Sequence, residues 1–175
     1  DNMEIITIPL RGSLEHQDSM GNGSVITSGE VQVMSAGSGI FHSEKNASTK
    51  EDINLFQIWI FPNEQNVTPR YDQISYNLKE MKNNFLQVVS PNPDDAGTWI
   101  HQNAWIHLAE IEEGKELNYN LKAPKNGIYT MVIDGDLEID SEHLGERDAI
   151  GIEGVDEIEF KARKKTRVLV IEVPM

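Results

Sequence analysis

The chain has 175 residues, a formal net charge of −14, 25% charged and 38% hydrophobic residues, and no cysteine. It is long enough to bury a core without covalent staples, and the missing thiols exclude disulfide frameworks, cysteine nucleophiles and Cys-type zinc sites together. An acidic surface repels phosphate backbones and anionic lipid, no apolar run reaches the roughly 18 residues of a membrane span, and the first residues lack the layout of a signal peptide. Nucleic acid and membrane therefore leave the partner list, and the expected location is cytoplasmic.

Helical periodicity is scarce, while short strand-like runs bounded by Gly, Asn, Asp and Pro recur throughout, the pattern of an all-β sandwich or barrel. The spacing predicts strands over residues 4–10, 31–34, 53–61, 86–90, 104–111, 117–121, 127–133, 137–139 and 167–173. Residues 53–61 are apolar at nearly every position, which predicts a strand covered on both faces in the middle of its sheet. Residues 76–84 are the one candidate helix, short and weakly amphipathic, with Asn as its stop signal. Three prolines, Pro69, Pro91 and Pro93, and a turn-rich 91–97 mark residues 63–100 as a connection between a first unit, 1–62, and a second unit, 101–175. The basic run 161–167 has no aromatic stacking partners and reads as a solvated turn between strands.

An internal repeat supports the two units. Ile8-Pro9-Leu10-Arg11-Gly12-Ser13-Leu14-Glu15 lines up with Met131-Val132-Ile133-Asp134-Gly135-Asp136-Leu137-Glu138, strand, glycine turn, strand in each case, and Gly29-Glu30 lines up with Gly145-Glu146. Thirteen residues past Gly29 stands His42, followed by Glu44; thirteen past Gly145 stands Ile158, followed by Phe160. An imidazole and a carboxylate have given way to two apolar side chains, so the second unit is expected to be a metal-free packing copy.

His42 and Glu44 are the chemistry-bearing pair. They follow the glycine-rich turn Gly37-Ser38-Gly39, and positions i and i+2 of a strand share a face, so both donors can aim at one point. An imidazole nitrogen with a carboxylate oxygen is ligand chemistry for Mn, Fe, Ni, Cu or Zn. Nucleophilic catalysis finds no support, because there is neither Cys nor a G-x-S-x-G elbow, and no glycine-rich stretch completes a phosphate loop. His101 and His107, six apart, would stand roughly 20 Å apart on an unbroken strand, too far for shared ligation. His16 and His143 sit in polar, hairpin-like contexts and show no second donor at ligand spacing.

The turn and the H-x-x-x-N spacing from Gly37 to Asn46 resemble the second motif of the cupin superfamily. The runs Met3-Glu4-Ile5-Ile6-Thr7, Gly12-Ser13-Leu14-Glu15-His16-Gln17-Asp18-Ser19-Met20-Gly21-Asn22, Val33-Met34-Ser35-Ala36-Gly37 and His42-Ser43-Glu44 resemble the pirin family of bicupins, in order. That resemblance implies two tandem cupin units, the first incomplete at its N-terminal edge. It implies one metal, Fe(II) first, held by His42, Glu44 and an H-x-H pair expected upstream of Asp1, with Glu4 as a hydrogen-bonded barrel residue or one that supports the ligands. It marks Pro69-Arg70-Tyr71-Asp72 as part of the connection. Two function classes stay open: a quercetin 2,3-dioxygenase acting on a small planar aromatic substrate, with Glu44 as base, and a metal-dependent module that binds a protein partner.

Overall fold

A computed structural model describes residues 1–175. In chain order the strands are β1 (Glu4–Arg11), β2 (Ser13–Asp18), β3 (Gly23–Thr27), β4 (Glu30–Ser35), β5 (His42–Asn46), β6 (Asn54–Ile60), β7 (Arg70–Ser75), β8 (Leu86–Ser90), β9 (Thr98–Trp99), β10 (Trp105–Ile111), β11 (Glu116–Asn120), β12 (Asn126–Asp134), β13 (Asp136–Ile139), β14 (Glu142–Gly145), β15 (Ala149–Ile152), β16 (Glu157–Ala162) and β17 (Thr166–Pro174). The all-β reading holds, and every predicted strand is present. The expected helix is a single 3-10 turn, Leu78–Met81, started by Asn77, whose side chain accepts from the Lys79 amide at 3.1 Å. A weakly amphipathic nine-residue segment has too few turns to repay helix nucleation.

The chain forms two compact units, residues 1–76 with 91–102, and residues 77–90 with 103–175. The expected division at 63–100 therefore differs from the observed one, and no separate connecting segment exists. Residues Arg70–Ser75 pair with β4 along their whole length. Residues Leu86–Ser90 pair with β10. The 91–102 stretch returns to the first unit, where the Arg70 guanidinium lies 4.1 Å from the Trp99 ring centroid and the Thr98 hydroxyl donates to Asp72 at 2.6 Å. Arg70-Tyr71-Asp72-Gln73 carries polar groups on both faces of its strand, so apolar periodicity could not reveal it.

In the first unit a four-stranded sheet, β6-β1-β4-β7, faces a three-stranded sheet, β3-β2-β5. Contrary to expectation, β6 lies at the edge of its sheet. Its apolar residues are incompletely covered: Trp59 is 61% exposed, and Phe61 just beyond is 76% exposed. Apolar content reports a strand's preference for cover and carries no information about its rank in the sheet.

The second unit runs β15-β12-β17-β10-β8 in one sheet and β11-β16-β13-β14 in the other. Ile139, Ile158, Phe160, Leu137, Val132 and Val168 lead its core. Both units turn at the repeat glycines, Gly12 with φ +77 and Gly135 with φ +105, angles that L side chains resist. A Cβ on Gly12 would lie 2.6 Å from Asp52 O.

Candidate metal centre

Gly37 opens the site. Its φ of +48 and its close approach to the Val67 carbonyl leave no room for a side chain, and the tight turn delivers the chain into β5. Strand β5 pairs antiparallel with β2, setting His42 opposite Asp18 and Glu44 opposite His16. Alternation brings the side chains of these four residues to one face, and the strand pair assembles what no local spacing in the sequence showed.

Glu44 is the best-defined member, with 14% of its side chain exposed. Its Oε2 accepts a short hydrogen bond from the Gln57 amide of β6. Its Oε1 is buried and has no hydrogen-bond partner, and the nearest imidazole nitrogen, His16 Nδ1, stands 3.6 Å away. His16 is fully buried. Its Nε2 lies 3.3 Å from Asp18 Oδ2, its ring packs 5.0 Å from the Tyr71 ring, and the His42 ring stacks 6.0 Å away at 22°. Asp18 is anchored by Asn22 Nδ2 at 2.8 Å, Met20 N at 2.9 Å and Asn22 N at 3.0 Å. These donors outweigh the opposing effect of burial and hold the Asp18 carboxyl below its ordinary value. His42 is exposed and, with Gln17, Asp18, Ser19, Phe41 and Ser43, lines an open cleft of about 270 Å³.

The opposing sheet presents a polar row. Gln57, Thr7, Gln32 and Gln73 are direct neighbours across β6, β1, β4 and β7, so their side chains share one face. Gln57 reaches Glu44, which identifies that face as the one turned toward the site. Thr7 Oγ1 and Gln32 Nε2 are buried there without partners, like His16 Nδ1 and Glu44 Oε1.

His42 and Glu44 lie on one face of β5, as their spacing predicts, and the residues gathered beside them, His16, Asp18 and Gln57, had no mark in the local spacing. The repeat held the signal for His16: four residues past Gly12 it occupies the place of Ile139, four past Gly135. The pairing His16 with Glu44 recurs as Ile139 with Phe160. Glu4 is not brought to the site. It lies three residues from Thr7 and so points to the opposite face of β1. There its buried carboxyl accepts from Ser35 Oγ at 2.8 Å. Burial pushes that carboxyl up, while the Ser35 bond and the charges of His101 and Arg70 oppose the shift.

The remaining histidines are dispersed. His101 packs edge-on against Trp99 at 4.8 Å in the first unit. His143 is exposed, bonded to Asp136 at 2.8 Å. His107, in the second unit, is buried beside the Tyr119 hydroxyl at 3.2 Å, and burial, helped by the Lys122 charge, lowers its pKa to about 3.

Donor chemistry fits a divalent transition metal in kind, with two groups: the His42 imidazole and the Glu44 carboxylate, one oxygen of which is buried and unclaimed by any protein hydrogen.

Comparison with known proteins places both units in one family. The model described as Pirin matches residues 1–60, and the one described as Quercetinase C-terminal cupin domain matches residues 87–173. A quercetin 2,3-dioxygenase of Escherichia coli is 34% identical over 173 residues, covering 99% of this chain and 73% of that protein. The chain belongs to the pirin family. A putative quercetin 2,3-dioxygenase of Zymomonas mobilis is 37% identical, with 97% of this chain and 72% of that protein covered. Among solved structures, the bacterial pirin YhhW from Escherichia coli, crystallised in complex with nickel(II), superposes with a TM-score of 0.91 at 33% identity, covering 99% of this chain and 73% of that one. The pirin assignment and the cupin-type sandwich expected from the sequence thus agree with the observed strands.

Proposed function

We propose that the chain acts as a pirin-type, metal-dependent quercetin 2,3-dioxygenase, opening the ring of a flavonol with O2. The observation that carries the reading is the Glu44 carboxylate, fixed on one oxygen by Gln57 and with the other buried and unclaimed by any protein donor. The shallow cleft at His42 leaves that imidazole accessible from solvent. The relatives named as quercetin 2,3-dioxygenases point to a planar aromatic flavonol. Fe(II) is the first metal to test; the nickel complex of the Escherichia coli pirin puts Ni(II) beside it, followed by Mn(II), Cu(II) and Zn(II).

In this reading His42 and Glu44 would hold the metal. A bound divalent cation there supplies Lewis acidity, which makes a substrate hydroxyl easier to deprotonate. The flavonol 3-hydroxyl must lose its proton before the ring reacts with O2, and the Glu44 carboxylate accepts it. Gln57 keeps the carboxylate from rotating away as its charge changes.

Flavonol loss under air, followed with metal content in parallel, tests the proposal. Glu44→Gln is expected to lower turnover per bound metal by about 10²–10⁴-fold, the usual effect of a missing general base. His42→Ala is expected to lower metal stoichiometry. Unchanged turnover per metal removes Glu44 as the base, and unchanged stoichiometry removes His42 as a ligand. If the wild type consumes no flavonol with Fe(II), Ni(II), Mn(II) or Cu(II), the metal-dependent interaction module replaces the enzyme, its acidic surface steering a basic protein partner.

A further inference from the structure

Resting on the site reading above, the geometry points to His16 as the positioning residue for Glu44: with Gln57 it forms a two-sided clamp that fixes the carboxylate plane presented to a metal. Gln57 holds Oε2, and His16 Nδ1 faces Oε1 at 3.6 Å. The imidazole is immobilised in turn. Its other nitrogen meets Asp18 at 3.3 Å, Tyr71 covers its ring at 5.0 Å, and Asp18 is tied to the 18–22 turn by three donors from Met20 and Asn22. The stretch Glu15-His16-Gln17-Asp18-Ser19-Met20-Gly21-Asn22 therefore forms one line of support that runs from a surface turn, through a buried ring, to the ligand carboxylate.

Two observations separate this role from plain core packing. His16 Nδ1 and Glu44 Oε1 are both buried and both unpartnered, and each is within a small displacement of the other. Leaving two such groups unbonded is costly, so each needs the other or a shared cation. The second unit shows what packing alone selects at this register, since Ile139 faces Phe160 there, both buried and apolar. Histidine at this position is unnecessary for the frame. Ligand carboxylates held by neighbouring groups bind metal more tightly, and losing such a neighbour typically costs about 10–100-fold in affinity.

Three variants isolate the relevant nitrogen. His16→Asn keeps a donor where Nδ1 stands, His16→Gln keeps one where Nε2 stands, and His16→Ile copies the side chain that the second unit tolerates at the same register. In metal-free protein, the Glu44 side-chain carboxyl carbon resonance is expected to shift in His16→Ile and His16→Gln and to stay near wild type in His16→Asn. With Co(II) as the probe, His16→Ile and His16→Gln should bind about 10–100-fold more weakly and change the Co(II) absorption bands, whereas His16→Asn should restore both. A Glu44 resonance unmoved in His16→Ile overturns the clamp, and so does wild-type Co(II) affinity with wild-type bands in that variant when Glu44→Gln itself weakens Co(II) binding. If the resonance moves as expected while Co(II) affinity is the same in wild type and Glu44→Gln, the clamp stands and the metal assignment of Glu44 falls.

Discussion

The two units share a frame and differ in what the frame encloses. Each turns at a glycine of positive φ and pairs the strand that follows with a later one, β2 with β5 and β13 with β16. At equivalent positions the first unit has His16, His42 and Glu44 where the second has Ile139, Ile158 and Phe160. Four buried polar atoms on the site face of the first unit lack partners. The buried carboxylate of the second, Glu172, is saturated, accepting from the Tyr119 hydroxyl at 2.8 Å, Asn126 Nδ2 at 2.7 Å and the backbone amides of Lys122 and Ala123. Burial, then the Glu172 charge, pushes the Tyr119 hydroxyl up, so it stays a donor. A β-sandwich can thus close its interior with hydrocarbon and completed hydrogen bonds, or leave it open to a ligand with uncompleted ones.

The comparison can be broken most directly at Phe160. It is fully buried, with the Phe85 ring edge-on at 5.1 Å, so Phe160→Ala should cost about 3–5 kcal/mol in urea unfolding. Glu44→Ala, at the matching register, should change stability by about 1 kcal/mol or less while weakening metal binding. Equal losses at the two positions would mean that both interiors are structural. The shared turn gives a smaller effect: Gly12→Ala and Gly135→Ala should each destabilise by about 1–3 kcal/mol, because both need positive φ and both face backbone at contact distance.

A third effect follows from His107. Its folded pKa of about 3 lies below the ordinary histidine value of 6.5, so the unfolded chain binds the extra proton first. The contribution is complete above about pH 6.5 and drains away as pH falls toward 3, by at most about 1.4 kcal/mol per pH unit. Unfolding free energies measured from pH 7 to 5 should show that slope, and His107→Gln should flatten it. The smallest effect sharpens the site boundary: Glu4→Gln, on the far face of β1, should leave Co(II) affinity within about twofold of wild type.

Strands, glycine turns and the repeat were legible because alternation and Gly act over a few residues. His42 and Glu44 were legible because two positions on one strand suffice to place them on one face. His16, Asp18 and Gln57 were not, since each reaches the site by strand pairing, and register between distant strands leaves no local mark. Glu4 is the hydrogen-bonded barrel residue that its position allowed, and only the register of β1 shows that it turns to the face away from Thr7. The edge position of β6 and the strand Arg70–Ser75 were hidden by composition, one too apolar to look like an edge and the other too polar to look like a strand.

The incompletely covered edge strand has an optical consequence. Trp59 stands two residues from Gln57, on the same face and about 7 Å along the strand, with much of its indole in solvent. The Trp99 ring, by contrast, is capped by the Arg70 guanidinium. On the proposed assignment of Glu44 as a ligand, a paramagnetic ion there would have this fluorophore at short range, so emission is expected to fall as metal is added and to return with a chelator. Trp59 emission would then gauge occupancy of the proposed site without a label.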